Sequence, residues 1–522
     1  MASGQECQCA PGGQWWGAAV LLIVSAGAGL RFCRLGLQSL WFDEGYSHWL
    51  SSQPVGRLLA AVKHDFSPPG YFLMLSQWMR VFGDSEWAMR SLSAVLGSVT
   101  IVLVLLMARR ALGYGTAVVL AVALFAFSEI QVEYSQEARP YIAGSFFFAA
   151  SLYCLMRQLD GGGWRWLGAF VLMGAALVYQ HNVMWFFLAG LHAFWLAAPG
   201  DDTLVRRLRN MVIADMAIAL LYLPWLPSLA LQMHNIQNAY FTDRPGFYHF
   251  THTVSWLGGS AVDTLHPLTA AVGIADANDR IVRGGGFLLV SGACLLALAY
   301  CDRRQRRILV AILLAGVVPI LLAMVYSQFR QSVYVHRAFI PASVVLPLVM
   351  AAVWPTTLRP ALARWLGRVL SVLLLTVSVL SVWGYFRYEA KENWRLATRW
   401  INSQDHQGAL VVFSGPEGQP LYDYYTAREG ATTMEATGAP GGFYDVDPPR
   451  AMRRVLTVQD LKPLHARIEA GGYRRVYLVQ AYTQWADPSD LVMVYLNGQF
   501  HEAGGIQDRA VRVRAFARTR SR

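Results

Sequence analysis

The sequence alternates between long runs of apolar residues and short polar segments. Many of these runs are nearly as long as the stretch of about 20 apolar residues that a helix needs to cross a lipid bilayer. We therefore predict a polytopic α-helical membrane protein with about 11 transmembrane helices. The predicted spans lie near residues 15–30, 92–108, 112–128, 141–156, 164–179, 183–198, 211–228, 285–300, 308–326, 338–354 and 366–384.

The composition and the distribution of arginine support this interpretation. Of the 522 residues, 55% are hydrophobic and 15% are charged, whereas soluble domains carry about 25% charged residues. The net charge of +11 does not require a nucleic-acid partner, because arginines cluster in alternate loops, as cytoplasmic loops require. This pattern predicts a cytoplasmic N-terminus and an extracytoplasmic tail. The arginines are Arg109, Arg110, Arg157, Arg165, Arg206, Arg207, Arg209, Arg303, Arg304, Arg306, Arg307, Arg359, Arg364 and Arg368.

The tail after the last apolar run has a different character. Short β-rich runs alternate with helical patterns there, which predicts a small C-terminal α/β extracytoplasmic domain. The predicted domains are a transmembrane domain, 1–384, with a first extracytoplasmic loop at 31–90, and the C-terminal domain, 385–522. The predicted tail elements are strands at 409–413 and 475–479 and helices at 393–401, 419–429 and 458–470.

The first loop contains two adjacent carboxylates, Asp43 and Glu44, among aromatic residues. One interpretation is structural: acidic residues favour a helix N-terminus, and aromatic side chains anchor a short helix at the headgroups. The other is catalytic, because a carboxylate that is partly removed from water binds protons more tightly and can act as a general base. The two interpretations are compatible.

A second polar segment, with His64 and Asp65, precedes Pro68 and Pro69. The two prolines disfavour helix at this point, so the polar residues are predicted to lie on a turn. The turn is either a hinge between two interfacial helices or the position of a second acidic group.

Three further polar sites interrupt the apolar pattern. Glu137 and Arg139 precede Tyr141; either the charges pair with each other, or Arg139 and Tyr141 face a cavity. His181 lies at a helix junction, where a single histidine serves either packing or ligand binding. Arg337 begins a predicted span and either binds a phosphate or extends to lipid headgroups. The sequence contains no HExxH, paired CxxC or P-loop motif.

These segments together resemble the GT-C superfamily of integral-membrane glycosyltransferases, in the branch of protein O-mannosyltransferases and the bacterial aminoarabinose transferase of lipid A. The resemblance covers roughly residues 15 to 400. An acidic pair follows an aromatic residue in the first loop of such proteins, as in 41–44, and a D-x-x-P-P-x-Y turn follows it, as in Asp65 to Tyr71. Residues 135–141 resemble their QEAR-x-Y segment. Gln180 and Asn182 replace the usual residues beside His181, Ala338 replaces an aromatic after Arg337, and Ser67 replaces a lysine.

The resemblance implies a polyprenyl-phosphate-sugar-dependent glycosyltransferase (hexosyl- or pentosyltransferase) that works with inversion at the extracytoplasmic face. The acceptor would be a glycolipid, a polysaccharide or a protein, and a bacterial inner (plasma) membrane would be the location. Two alternatives stay open: a transporter or flippase for lipid-linked sugars, and a non-catalytic protein that binds lipid-linked sugars.

The resemblance also assigns roles to the candidate residues. Asp43 would be the base, and Glu44 and Asp65 would orient the acceptor, position Asp43 or bind a divalent metal ion. The other candidates form two groups: donor phosphate-binding residues Arg139, Tyr141, His181 and Arg337, and acceptor or loop-supporting residues His64, Glu137 and Tyr71.

Overall fold

Helices dominate the protein. The computed structural model describes residues 13–200, 202–239, 242–259, 279–354, 361–387, 391–439, 441–445, 455–481 and 483–518. In the first half of the chain the helices are α1 (Gly13–Phe32), α2 (Phe42–Ser51), α3 (Val55–Val62), α4 (Gly70–Phe82), α5 (Glu86–Leu112), α6 (Thr116–Ala126), α7 (Glu129–Ser135), α8 (Pro140–Arg157), α9 (Gly163–Val178), α10 (Met184–Ala197), α11 (Leu204–Tyr222), α12 (Leu226–Ala239) and α13 (Phe247–Leu257).

The second half adds the remaining helices and all of the described strands. The helices are α14 (Asp279–Tyr300), α15 (Arg303–Phe329), α16 (Leu346–Met350), α17 (Ala361–Arg387), α18 (Trp394–Asn402), α19 (Gln419–Glu429), α20 (Lys462–Gly471), α21 (Thr483–Ala486) and α22 (Leu491–Asn497). The strands are β1 (Ala409–Phe413), β2 (Glu435–Gly438), β3 (Arg475–Ala481), β4 (Phe500–Asp508) and β5 (Val511–Arg518).

All of the predicted spans coincide with helical structure, but not every one of these helices is long and apolar enough to cross a membrane. Among the described residues, six helices are long and apolar enough to cross a membrane, or up to eight if each of two bent pairs counts as one span. Helices α1 and α10 are apolar but shorter. The count of about 11 therefore stays a prediction. Arg359 and residues 260–278, which follow α13, lie outside the described residues.

Two of the predicted spans are broken rather than straight. The span predicted at 112–128 ends at Ala126, and α7 continues after it at an angle of 47°. The span predicted at 338–354 begins as a 3-10 helix, His336–Val344, and bends by 43° before Leu346–Val353. Pro341 and Pro347 lie in this second segment, and proline cannot donate the backbone hydrogen bond that a continuous α-helix needs.

The chain forms two compact units. The helical unit comprises Met1–Cys33, Ser91–Leu226 and Phe241–Tyr388. Small residues allow its helices to approach closely, as in membrane helix packing generally. A Cβ atom at Gly190 of α10 would lie 2.9 Å from the Pro319 ring of α15, so this contact depends on glycine.

The loop-and-tail unit comprises Arg34–Arg90, Pro227–Tyr240 and Glu389–Arg522. It includes the first loop as well as the tail, whereas the sequence analysis placed the loop with the transmembrane domain. Its five-stranded sheet has the order β2-β1-β3-β5-β4. Strands β1 to β3 pair in parallel, and β5 pairs with β3 and β4 antiparallel.

The two strands predicted in the tail are the central strands of this sheet. β1 is buried along its whole length, and β3 is buried except at its ends. Helices cover a buried apolar cluster on the sheet that includes Leu410, Val476, Leu464 and Phe516. Parallel strands with buried faces are typical of α/β folds.

Candidate active site

Four residues predicted to bind the donor phosphate lie together in the helical unit. The guanidinium carbon of Arg139 is 5.9 Å from the centre of the Tyr141 ring, and that of Arg337 is 5.8 Å from the same centre. The His181 ring centre lies 6.3 Å from that of Tyr141. Tyr141 itself is 4% exposed. We call Arg139, Tyr141, His181 and Arg337 the cation cluster.

The start of α8 positions the first two members of this cluster. Arg139 is the N-cap residue of α8 and has an extended backbone, while Pro140 occupies the first helical position. Proline is favoured at this position because the missing N–H would have no helical partner. The arginine therefore precedes the first turn, and the tyrosine lies within it.

The 3-10 helix His336–Val344 packs against the same helix. A Cβ atom at Gly144 would lie 3.5 Å from Pro341 Cγ and 3.3 Å from Met184 Cε. Gly144 follows Tyr141 by three residues, so the two lie on the same face of α8. The glycine allows the segment with Pro341 to approach this face, and Arg337 of that segment reaches Tyr141.

His181 lies on the turn that joins α9 and α10. The backbone N–H of Val183 donates a hydrogen bond of 3.2 Å to His181 Nδ1. In the neutral ring the proton is therefore on Nε2. Burial, together with the charges of Arg139 and Arg337, lowers the pKa of His181 to about 4. The ring is neutral at pH 7 and presents one N–H donor.

Residues that the sequence analysis missed support the cluster. Gln136 Nε2 donates to the backbone oxygens of Leu30 and Cys33 at 2.9 and 2.8 Å, and Tyr385 Oη donates to Gln136 Oε1 at 3.0 Å. Gln131 Nε2 donates to Ser343 Oγ at 2.7 Å. Gln136 belongs to a quoted motif, but nothing local in the sequence indicates Tyr385 or Ser343.

Glu137 is the member of the same motif that the sequence analysis placed in a supporting role. Its carboxyl-bearing side chain is 5% exposed, and its backbone N–H donates to Tyr134 O at 3.3 Å. Tyr134 packs edge-on against Tyr141, with ring centres 5.4 Å apart. Glu137 thus belongs to the turn between α7 and α8 that carries Arg139.

The first-loop carboxylates lie in the loop-and-tail unit, where Glu44 contacts two basic side chains. Arg90 Nε donates to Glu44 Oε1 at 2.8 Å, and Arg90 Nη2 donates to Glu44 Oε2 at 2.6 Å. Lys391 Nζ lies 3.7 Å from Glu44 Oε2. The guanidinium of Arg90 also donates to the backbone oxygens of Leu35 and Ser39. Glu44 is therefore a buried anchor of the loop.

Asp43 occupies the first turn of α2 and is partly exposed. Its backbone oxygen accepts a hydrogen bond of 3.0 Å from Ser47 Oγ. A carboxylate in the first turn of a helix is stabilised by the helix dipole. The adjacent pair thus contains one carboxylate enclosed by cations, on Glu44, and one residue that is partly exposed, Asp43.

The predicted polar turn lies between α3 and α4. Asp65 is 9% exposed and Tyr71 is fully buried, with its ring edge-on to Phe72. Helix α12 holds the turn, because Gln232 Nε2 donates to the backbone oxygens of Val62 and Ser67, both at 2.8 Å. Asn235 Nδ2 donates to the backbone oxygen of His64 at 3.3 Å. Sequence reasoning did not indicate these two amides.

Within the described ranges, no group of three or more His, Cys, Asp or Glu side chains could hold a metal ion. The divalent ion that the sequence analysis left open stays an untested expectation.

Comparison with known proteins bears on the fold. Residues 67–227 match the family model of dolichyl-phosphate-mannose-protein mannosyltransferase. The crystal structure of ArnT from Cupriavidus metallidurans in the apo state is similar along nearly its whole length: the match covers 96% of this chain and 98% of that chain, with 13% identity and a TM-score of 0.59. The chain has the fold of this ArnT.

The crystal structure of the same ArnT bound to undecaprenyl phosphate is also similar. This match covers 95% of this chain and 98% of that chain, with 13% identity and a TM-score of 0.56. A search of the curated proteins found no significant match. The GT-C resemblance predicted from the sequence is confirmed, and six of the described helices are long and apolar enough to cross a membrane, as expected for an integral membrane protein.

Proposed function

We propose that this protein transfers a sugar from a polyprenyl-phosphate-linked donor to a lipid, polysaccharide or protein acceptor, with inversion, on the extracytoplasmic face. The observation that carries the proposal is the approach of Arg139 and Arg337 to one tyrosine ring beside His181. Two guanidinium groups and a ring N–H form a site for a phosphate, since arginine binds phosphate oxygens through paired hydrogen bonds. The GT-C fold and the mannosyltransferase family match support a lipid-phosphate donor.

In this proposal the cation cluster stabilises the leaving group. As the bond between the anomeric carbon and the phosphate oxygen breaks, its electron pair passes to the phosphate, whose negative charge increases. Positive groups that are already fixed in place stabilise such charge without reorganisation. Arg139 and Arg337 supply fixed charge, and His181 Nε2 supplies a neutral donor. Both guanidinium carbons lie close to the Tyr141 ring, at 5.9 and 5.8 Å from its centre, so this ring packs against both charged groups.

Asp43 is the proposed base. Its carboxylate would take the proton from an acceptor hydroxyl while the acceptor oxygen forms a bond to the anomeric carbon. The phosphate leaves from the opposite face of the sugar, so the configuration at that carbon inverts. Glu44 is a positioning residue in this scheme, because both of its oxygens are bound by Arg90 and it fixes the first turn of α2.

Asp65 is proposed to support the acceptor side of the reaction together with His64 and Tyr71. Its turn is fixed by Gln232 and lies within the same compact unit as Asp43. Arginine clustering in alternate loops supports a cytoplasmic N-terminus and an extracytoplasmic C-terminal domain. A bacterial inner membrane and a carrier of undecaprenyl type complete the proposal, and the bound lipid of ArnT supports the latter.

The proposal is tested with purified protein in lipid nanodiscs and a panel of polyprenyl-phosphate sugars labelled in the sugar. A crude envelope extract serves as acceptor. Label that moves from the lipid to the acceptor supports a transferase and identifies the sugar. Label that crosses the bilayer of a proteoliposome but stays on the lipid would instead favour a transporter or flippase.

A further inference from the structure

A cavity of about 450 Å³ lies in the loop-and-tail unit. Its walls come from α2 and the residues before α5 on one side, and from α19 and the segment around Tyr444 on the other. This volume falls within the range of about 300–1,000 Å³ that is typical of small-molecule sites. None of the residues assigned above to the cation cluster or to the base lines it.

Aromatic rings form much of the cavity wall, and their orientations are fixed. Trp49 packs edge-on against Phe443, with ring centres 5.0 Å apart. Tyr424 contacts the His48 ring at 4.7 Å and lies under the guanidinium of Arg428 at 4.5 Å. Trp49 and Tyr424 are 7% and 6% exposed and form the base of the wall, whereas Tyr444 is 43% exposed and offers an accessible aromatic surface.

Next to these rings, the carboxylate of Asp84 contacts Arg428 and His48. Arg428 Nη2 lies 2.7 Å from Asp84 Oδ1, and His48 Nε2 lies 3.3 Å from Oδ2. The hydrogen bond with His48, and then the charge of Arg428, lower the pKa of Asp84. The Asp84 side chain is 55% exposed and that of Arg428 is 35% exposed, so both retain hydrogen-bonding capacity for a ligand. Their charges compensate each other, which favours a neutral ligand.

A second carboxyl group belongs to the same cavity. Tyr444 Oη donates a hydrogen bond of 2.9 Å to Asp423 Oδ2. Burial raises the pKa of Asp423 to about 6, although this hydrogen bond acts in the opposite direction. The cavity thus combines two carboxyl groups, a guanidinium and a hydroxyl around aromatic faces. This set suits a ligand that has several hydroxyl groups and an apolar ring face.

Asp43 lies on a different face of α2 from this cavity. A Cβ atom at Gly45 would come within 2.6 Å of Leu421 Cδ2, so the Gly45 face of α2 is pressed against α19. Each residue of an α-helix is rotated by about 100° from the one before it. His48 and Trp49 therefore lie on the same side of α2 as Gly45. Asp43 is rotated by about 160° from Gly45 and by about 140° from His48 around the helix axis. A ligand in the cavity is therefore bound apart from the carboxylate that carries the proposed chemistry.

We infer that this cavity binds a neutral pyranose ring of the acceptor, at a distance from the hydroxyl group that is glycosylated. The inference rests on the proposed function and makes it more specific: the acceptor is a glycan of at least two sugar rings. The exposed ring of Tyr444 contacts the apolar face of the sugar ring, and the buried rings of Trp49 and Tyr424 hold the cavity wall in place. Asp84, Asp423 and Arg428 form hydrogen bonds with its hydroxyl groups. Binding energy gained at a non-reacting sugar positions the reacting one.

The test measures saccharide binding without requiring transfer. Full-length protein in nanodiscs is titrated with neutral disaccharides, observed by saturation-transfer NMR, and with a Ser/Thr-containing peptide of similar mass for comparison. The wild type is compared with Asp423→Asn and Arg428→Gln, with Asp405→Asn as a control at an exposed position of the same unit. Each cavity variant should weaken disaccharide binding about tenfold or more, as expected for a lost hydrogen bond to a charged group.

The outcomes separate this inference from the proposed function. Disaccharide binding that persists in Asp43→Asn but is weakened in both cavity variants supports the inference, whether or not label transfer is observed. If no disaccharide binds the wild type, or if the cavity variants bind it as tightly as Asp405→Asn does, the inference is overturned even when transfer is active. Displacement of the disaccharide by the peptide would also overturn it.

Discussion

Arg90 binds both carboxylate oxygens of Glu44, at 2.8 and 2.6 Å, and both residues are almost completely buried. The two lie 46 positions apart in the chain, and their pairing joins α2 to the start of α5. Because the guanidinium also binds backbone oxygens at Leu35 and Ser39, one ion pair fixes the path of the chain leading into the helix of Asp43.

Replacement of Glu44 should therefore destabilise the protein strongly. Glu44→Gln leaves the buried guanidinium without its charge partner, and breaking a buried pair in this way costs about 3–5 kcal/mol. Denaturation of the purified protein in nanodiscs measures the free energy of unfolding. Glu502→Gln is a matched control, because Glu502 pairs with Arg514 at 2.9 Å on the surface, where pairs contribute about 0–1 kcal/mol. Equal losses in the two variants would show that Glu44 is not a structural anchor.

The cation cluster predicts a loss of lipid-phosphate binding. Arg337→Gln and Arg139→Gln should each weaken binding of a polyprenyl phosphate about 10- to 100-fold, because each removes a charge-assisted hydrogen bond. Equilibrium binding of a fluorescent polyprenyl phosphate provides the measurement. Arg330→Gln is the control, since Arg330 is exposed at the end of α15. Binding that is unchanged in both cluster variants would exclude this cluster as the phosphate site.

His181 should make the stability of the ligand-free protein sensitive to acid. Burial and the two arginines lower the pKa of His181 from 6.5 to about 4. Between these two pH values, His181 is protonated in the unfolded chain but stays neutral in the folded protein. The stability associated with a neutral His181 is present above pH 6.5 and is lost as the pH falls toward 4. His181→Asn should reduce the slope of the unfolding free energy against pH in this interval. An unchanged slope would contradict the depressed pKa.

Gly45 should be intolerant of a larger side chain. A methyl group there would overlap Leu421, and overpacking of this kind costs about 1–3 kcal/mol. A Cβ atom at Gly56, in α3, would have no atom within 4 Å, so Gly56→Ala should be neutral or slightly stabilising. Thermal unfolding of the two alanine variants distinguishes the positions. Equal unfolding temperatures would show that α2 and α19 are not in close contact.

The sequence predicted those features that depend on local pattern. The apolar runs located the helices, and the motifs around Arg139, His181 and Arg337 located residues that the structure brings to one ring. These residues lie at helix ends, where polar positions stand out against apolar runs. The strands at 409–413 and 475–479 were predictable because they are short runs rich in β-forming residues, bounded by glycine or polar residues.

Features that depend on distant pairing could not be predicted in this way. Nothing near Glu44 indicates Arg90, and nothing near Asp84 indicates Arg428, which is 344 positions away. The bend in the span predicted at 338–354 was not predicted, because hydropathy does not register the hydrogen bonds that Pro341 and Pro347 cannot make. Short edge strands such as β2 also lack a distinctive local pattern.

The most direct test of the central claim compares wild type with Asp43→Asn in the transfer of labelled sugar from polyprenyl phosphate to an envelope acceptor. Asn keeps the shape of the side chain but cannot take up the proton, so transfer should fall by about 10²–10⁴-fold while donor binding is retained. Asp405→Asn, at an exposed position of the same unit, should transfer like the wild type. Transfer by Asp43→Asn at the wild-type rate would contradict the assignment of Asp43 as the base.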